Sequence, residues 1–296
     1  MVDAVTHTPQ TAAPVAPVPT DVHDKYARLC ERLRALLPDG LLIAFSGGVD
    51  SAFLLWAAHQ QQRAAGGRLL ALTAVSASMA RVERDDARAF ADALGVEHQW
   101  HESHELGNPA YVANDASRCY HCKTELFRIS RDIASHALAE GRGFRWLAYG
   151  YNDSDRGDVR PGHRAALEND VLAPLAEAGL GKDDIRVLMR ANGVALSEKP
   201  ASPCLSSRLM TGVRVTPVRL QHVEDMESLL RARGLRVFRV RVHEFGARSL
   251  LRVEVAPDEL ARAFELRDEL AREGQRHGYH WVTLDLAGYR LGGGTQ

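Results

Sequence analysis

LLIAFSGGVDSAFLLW, residues 41–56, is the stretch around which the rest of the chain is organised. Residues 41–45 form an uninterrupted apolar run of strand length. Residues 52–58 form a second apolar run, which reads as a helix. Between them stands Ser46-Gly47-Gly48-Val49-Asp50-Ser51. A strand that breaks into a glycine-rich turn and then a helix builds an anion site. The two glycines let the backbone turn tightly and meet a ligand with no Cβ in the way. The helix start offers N–H groups without internal partners and the positive end of the dipole. Ser46 and Ser51 add hydroxyls. Asp50 would repel a bare phosphate, so it points to a metal ion that bridges it to the phosphates. Two adjacent glycines alone would be an ordinary turn, and it is the full six letters between strand and helix that argue for a phosphate loop. No lysine follows the glycines, which excludes the GxxxxGK[ST] loop.

The stretch resembles the SGGxDS loop of the ATP-pyrophosphatase (PP-loop) superfamily. That resemblance implies cleavage of ATP between its α- and β-phosphates, with adenylation of a carboxylate, amide or carbonyl. Ser46, Gly47, Gly48, Val49, Asp50 and Ser51 would then hold ATP, with Mg²⁺ on Asp50, and Ser46 and Asp50 would serve the chemistry.

Outward from this stretch, apolar periodicity predicts helices over residues 22–37 and 81–94, and strands over 69–75 and 97–101. Cys30 lies beside the apolar face of the first helix and reads as a packing residue. The β-α-β-α rhythm predicts a parallel sheet with helices on both faces, the α/β PP-loop architecture. Ligands of such sheets sit at the carboxyl ends of strands. Ser76 falls there, and so does Gly150 after a strand over 146–150; both are candidate nucleotide contacts. A helix is expected over 124–140. Beyond residue 212 the pattern changes to a helix over 218–233, strands over 237–242, 250–255 and 281–284, and a helix over 257–273. This predicts a disordered tail (1–20), a PP-loop domain (21–212), a small α+β domain for substrate binding or oligomerisation (213–290) and a frayed end (291–296).

Composition bounds the function. With 45% apolar and 25% charged residues, the 296-residue chain reads as globular rather than disordered. A net charge of −1 gives no global pull toward nucleic acid or membrane. No apolar run is long enough to span a bilayer, and no secretory leader is expected, so a cytoplasmic location follows. The four cysteines then point to metal or catalytic roles rather than disulfides.

Three of those cysteines stand out. Cys119 and Cys122 form a CxxC hook inside RCYHCK, residues 118–123. Cys204 sits in KPASPCLSSR, residues 199–208, where two prolines preclude a helix and hold the thiol in a rigid turn. Three thiolates fall short of a closed structural zinc site. On a cubane cluster they would leave one iron free for an external ligand such as sulfide. The hook could equally be a redox pair. A third polar stretch, GYNDSDRGDVRPGHR at residues 150–164, follows a strand at the ligand edge.

With these stretches, and PLAEAG at 174–179, the chain from residue 22 to 286 resembles the LarE family of ATP-dependent sulfur transferases. Those proteins act in biosynthesis of the nickel-pincer nucleotide cofactor of lactate racemase. The resemblance implies that a carboxylate of pyridinium-3,5-dicarboxylic acid mononucleotide is adenylated and then converted to a thiocarboxylate, at two positions in turn. Cys204 matches the family's sulfur-bearing cysteine. In one subgroup that cysteine surrenders its own sulfur and becomes dehydroalanine. In another, two further cysteines join it to hold a [4Fe-4S] cluster, and Cys119 and Cys122 place this chain there. Asp155, Arg160 and Arg164, with Asp158, match charged positions beside the cavity. Arg208, Arg239 and Arg241 are candidates for binding the substrate phosphate; the last two could instead lie on the solvent face of an edge strand. The expected partners are a small nucleotide substrate, other copies of the chain and, functionally, the other proteins of the pathway. The chain departs from the family pattern at Tyr151, which could reshape the pocket, at Ser206, and in its Pro/Ala-rich start. Competing readings are a tRNA-thiolating enzyme, which needs a basic surface, an ammonia-dependent amide ligase of the NAD synthetase kind, which has no use for the three cysteines, and a non-catalytic nucleotide-binding regulator.

Overall fold

A computed structural model of the chain describes residues 17–139, 141–157 and 161–290. The expected tail residues 1–16 and 291–296, together with Asp158 and Arg160, lie outside them. The first half runs α1 (Thr20–Leu36), β1 (Leu41–Ala44), α2 (Val49–Ala65), β2 (Leu69–Val75), α3 (Arg81–Leu94), β3 (His98–Glu102), α4 (Pro109–Val112), α5 (Arg118–Ala139), β4 (Trp146–Tyr149), α6 (Pro161–Glu168), α7 (Pro174–Glu177) and α8 (Lys182–Ala191). The second runs α9 (Pro217–Ala232), β5 (Phe238–Phe245), β6 (Arg248–Val255), α10 (Leu260–Glu265), α11 (Arg267–Arg276) and β7 (Trp281–Leu284).

β1 is wholly buried because both its faces are covered. Its side chains alternate across the sheet. Leu41 and Ile43 pack with Leu33 of α1, Phe53 of α2 and Leu188 of α8. Leu42 packs on the other face with Leu70, Leu72 and Ile129 of α5. The sheet is all parallel, in the order β3-β2-β1-β4. The strand order therefore reverses between β1 and β4, and the carboxyl edge there is where such sheets bind ligands. The SGGVDS turn and Gly150 both open onto that edge.

The second sheet, β5-β6-β7, pairs β5 and β6 antiparallel and β6 and β7 parallel. Val240, Val242, Leu251 and Val253 meet Val223, Met226 and Leu230 of α9 in its core. That core also takes in Tyr111, Leu205 and Leu209 from earlier in the chain.

Three elements differ most from their sequence-based expectation. α2 is longer at both ends, because Val49, Asp50 and Ser51 form its first turn. α5 begins at Arg118, so the cysteine hook lies inside the helix rather than before it. The expected helix over 257–273 is a 3₁₀ turn (Pro257–Glu259), then α10 and α11, with Leu266 between them at φ −85°, ψ 3°.

Candidate functional site

The SGGVDS turn is built by its own hydroxyls. The Ser51 hydroxyl donates to the Gly48 carbonyl (3.0 Å) and lies 3.1 Å from that of Ser46. The Gly48 N–H reaches the Ser46 hydroxyl only at 3.4 Å. Gly47 has φ +74°, and a Cβ there would meet the Ala87 Cβ of α3 at 2.9 Å, so the position demands glycine twice over. Gly150 presses on the turn from β4: a Cβ on it would lie 2.6 Å from the Ser51 nitrogen.

Asp50 faces the polar loop after β4. Burial raises its carboxyl above the usual range, and the Asp155 carboxylate adds to this, while Lys182, Asn152 and Arg186 oppose it. Asp155 is itself buried and paired with Lys182 at 3.1 Å. Asn152 is fully buried, and neither atom of its amide has a well-formed hydrogen bond. Two carboxylates and the Asn152 amide oxygen are ligands of the hard-oxygen kind that Mg²⁺ takes. Ser76 caps the end of β2, accepts from the Ser78 N–H (3.1 Å), and lines a cleft of about 300 Å³ with Arg81, Arg84 and Glu224.

Tyr151 turns inward. It donates to the Asp155 carbonyl (3.0 Å) and stacks flat on His163 at 4.1 Å. The ring thus forms part of the wall of the loop. Arg164 lies over the Tyr120 ring (4.1 Å) and pairs with Glu168 (3.3 Å), beside the cysteine hook.

Cys119 and Cys204 are exposed and Cys122 is half-buried. Arg118 stands among them. Its guanidinium donates to the Ser206 carbonyl (2.7 Å) and approaches the Cys119 sulfur at 3.9 Å. Burial lowers its affinity for its proton, but charge on Cys204 and Cys119 raises it by more. The Cys122 thiol is pushed up to about 12, first by burial and then by charge on Cys204, Glu105 and Cys119. The three sulfurs therefore share one electrostatic neighbourhood, drawn from residues more than 80 positions apart. Among the described residues no group of three His, Cys, Asp or Glu side chains converges on a single metal ion. A cubane asks for something different, one thiolate per iron and hence wider spacing than a single ion needs. Cys30 is buried in α1 and accepts from Gln61 (3.3 Å), as a packing residue does.

The residue 199–208 segment is held along its length. Lys199 lies between Glu83 (2.8 Å) and Asp86 (2.7 Å) of α3 and donates to the Gly47 carbonyl (3.2 Å). Arg239 holds the Ala201 carbonyl. Arg208 holds the carbonyls of Pro203 and Cys204 (3.3 Å to the latter). The Ser206 hydroxyl closes a buried triangle with Ser78 (2.6 Å) and Tyr111 (2.7 Å). Behind the segment lies a layer of arginines. Arg208 pairs with Glu227 through two bonds, at 2.9 and 3.1 Å, and Arg241 pairs with Glu254 at 2.7 Å. Among the described residues Arg239 has no ion pair with a carboxylate, and it lies over the Tyr289 ring at 5.1 Å; burial, then Arg208, make its proton easier to lose. All three are buried, so Arg239 and Arg241 are not on a solvent face, and they offer no exposed arginine surface to a polyanion.

Sequence reasoning passed over Arg118, Asn152, Tyr111 and Lys199. Lys199 carried a signal, since it is one of only four lysines in the chain. Asn152 lay within the polar stretch 150–164 that follows β4, whereas Tyr111 carried no signal, because its importance lies in burial.

No protein-family model matches the chain. Among curated proteins, a pyridinium-3,5-bisthiocarboxylic acid mononucleotide synthase of Lactiplantibacillus plantarum is 30% identical over 84% of this chain and 87% of its own length. This chain belongs to the LarE family. Two uncharacterised relatives extend that kinship. A Synechocystis protein is 37% identical over 86% of this chain and 91% of its own length. A Methanocaldococcus jannaschii protein is 27% identical over 60% of this chain and 66% of its own length.

Proposed function

We propose that this LarE-family chain is an ATP-dependent sulfur transferase of the pyridinium-3,5-bisthiocarboxylic acid mononucleotide synthase type. In the first step a carboxylate oxygen of pyridinium-3,5-dicarboxylic acid mononucleotide attacks the α-phosphorus of ATP, and pyrophosphate leaves. In the second, sulfur attacks the acyl carbon and AMP leaves, giving a thiocarboxylate. The observation that supports this reading best is the course of one segment. Residues 199–208 touch the SGGVDS turn at Lys199, carry Cys204 in the open, and end on the buried arginine layer. A sulfur atom is thereby carried between a nucleotide turn and a buried arginine layer.

The N–H groups of the turn stabilise charge on the departing pyrophosphate. Mg²⁺ held by Asp50, with Asp155 and Asn152 beside it, would neutralise part of that charge. In the arginine layer three buried guanidiniums face two buried carboxylates, Glu227 and Glu254. Their guanidiniums hold the carbonyls of Ala201, Pro203, Cys204 and Ser207, so the layer fixes the segment that carries the sulfur. Cys119, Cys122 and Cys204 would hold a [4Fe-4S] cluster, which supplies an open iron for the sulfur to be delivered. Arg118, between the Cys119 sulfur and the Ser206 carbonyl, keeps the hook and the Cys204 turn in register.

Two measurements test the reading. The first is exchange of labelled pyrophosphate into ATP. It should require the dicarboxylate substrate; release of ADP and phosphate instead would overturn it. The second is iron and sulfide analysis of anaerobically purified protein. About four irons per chain would support the three-cysteine subgroup. No iron after reconstitution, with Cys204 converted to dehydroalanine on turnover, would assign the sulfur to Cys204 itself.

A further inference from the structure

Lys199 is the place where the nucleotide turn and the cysteine segment meet. Its side chain is only 9% exposed and neutralises Glu83 (13%), with Asp86 on its open side (37%). Arg186 of α8 donates to the carbonyls of Ser197 and, at 2.9 Å, Lys199. The next residues, 200–204, are exposed. An anchored residue is thus followed by an exposed stretch that carries the reactive sulfur.

The acceptor on the turn is the carbonyl of Gly47, at 3.2 Å. That carbonyl and the N–H of Gly48 are the two ends of one rigid peptide plane. The Gly48 N–H is loosely held, by Ser46 at 3.4 Å, and is among the donors a phosphate would engage. A phosphate that draws this N–H toward itself must rotate the Gly47 carbonyl at the other end, and that carbonyl is the one Lys199 grips. Gly47 has little room to shift toward α3, since even a Cβ on it would meet the Ala87 Cβ at 2.9 Å.

We propose that Lys199 is a positioning residue that transmits occupancy of the SGGVDS turn by a nucleoside triphosphate to residues 200–204, and so sets the reach of Cys204. The inference rests on the ATP reading of the turn. It makes sulfur delivery conditional on a filled nucleotide site, so that the exposed sulfur is aimed only when a carboxylate can be adenylated.

Hydrogen exchange read by mass spectrometry, with and without ATP and Mg²⁺, tests this on the intact protein. In the wild type, peptides covering residues 46–52 should be protected by ATP, and exchange across 201–204 should change by about fivefold or more, the low end of ordinary site-to-site coupling. In Lys199→Met, protection at 46–52 should persist while the response at 201–204 disappears. Lys199→Arg, which keeps charge and donors, should restore it. A full response at 201–204 in Lys199→Met would overturn the proposal, as would no response there in wild type with 46–52 protected. Absence of protection at 46–52 in the wild type would instead overturn the ATP reading on which the proposal stands. Should Lys199→Met fail to fold, Glu83→Gln/Asp86→Asn leaves the lysine in place, removes the two ion pairs that hold it, and should show the same loss.

Discussion

Gly150 has no room for a side chain, and the reason is functional. It lets the end of β4 touch the first turn of α2, where the Ser51 nitrogen would lie 2.6 Å from any Cβ. Gly150→Ala should therefore push the helix start away, costing about 1–3 kcal/mol as overpacking does. ATP affinity should fall with stability, which calorimetry and urea unfolding would show; unchanged ATP binding would detach Gly150 from the site. Arg208 and Glu227 form a pair with side chains 2% and 4% exposed. Glu227→Gln keeps the shape and strands a buried guanidinium, so a loss of about 3 kcal/mol is expected in urea unfolding. A loss below ~1 kcal/mol would mean that the pair is solvated, as surface pairs are.

At the scale of elements, the cysteine hook sits within the first turn and a half of α5. Cys119 and Cys122, three residues apart, share one face of that helix. Cys119→Ala and Cys122→Ala should each abolish bound iron and leave the fold intact, read by iron analysis beside circular dichroism; full iron in Cys119→Ala would remove it from the ligand set. The sequence made most elements legible. β2, α3 and β7 appear with the boundaries that apolar periodicity predicts, because each has clear breakers around it. The start of α5 was not legible. Arg118-Cys119-Tyr120-His121-Cys122 lacks an apolar period, and the helix is set by Asp115, which accepts from the Ser117 N–H (2.7 Å), and by packing. The break at Leu266 was hidden for the opposite reason, since the sequence over 257–273 is uniformly helix-forming and tertiary packing decides. In the site, the turn, the hook and the prolines around Cys204 could be read because backbone chemistry demands those residue types. The burial of Arg239 and Arg241 could not be read, because alternating arginines in a strand describe a solvent face unless another segment covers them.

At the scale of the molecule, two sheets are joined by the segment that carries the sulfur. His98 lies on the first sheet, His243 on the second, and His222 on α9, stacked on His277 at 4.2 Å. Burial holds all three below the ordinary 6.5. A histidine with a depressed folded value stabilises the fold above 6.5, and this contribution is lost as pH falls through the folded value, because the unfolded chain takes the proton first. The melting temperature should therefore be level above pH 6.5 and fall below it. A flat profile would show that these rings remain solvated. Among the described residues no helix is long and apolar enough to cross a membrane. The measurement that bears most directly on the proposed activity is an anaerobic single turnover with ATP, Mg²⁺ and pyridinium-3,5-dicarboxylic acid mononucleotide, analysed by mass spectrometry. The account predicts a thiocarboxylate, with AMP and pyrophosphate in equal amounts to it, and none of it from Cys204→Ala. A thiocarboxylate formed by Cys204→Ala, or ATP consumed to AMP with no sulfur transferred by the wild type, would contradict it.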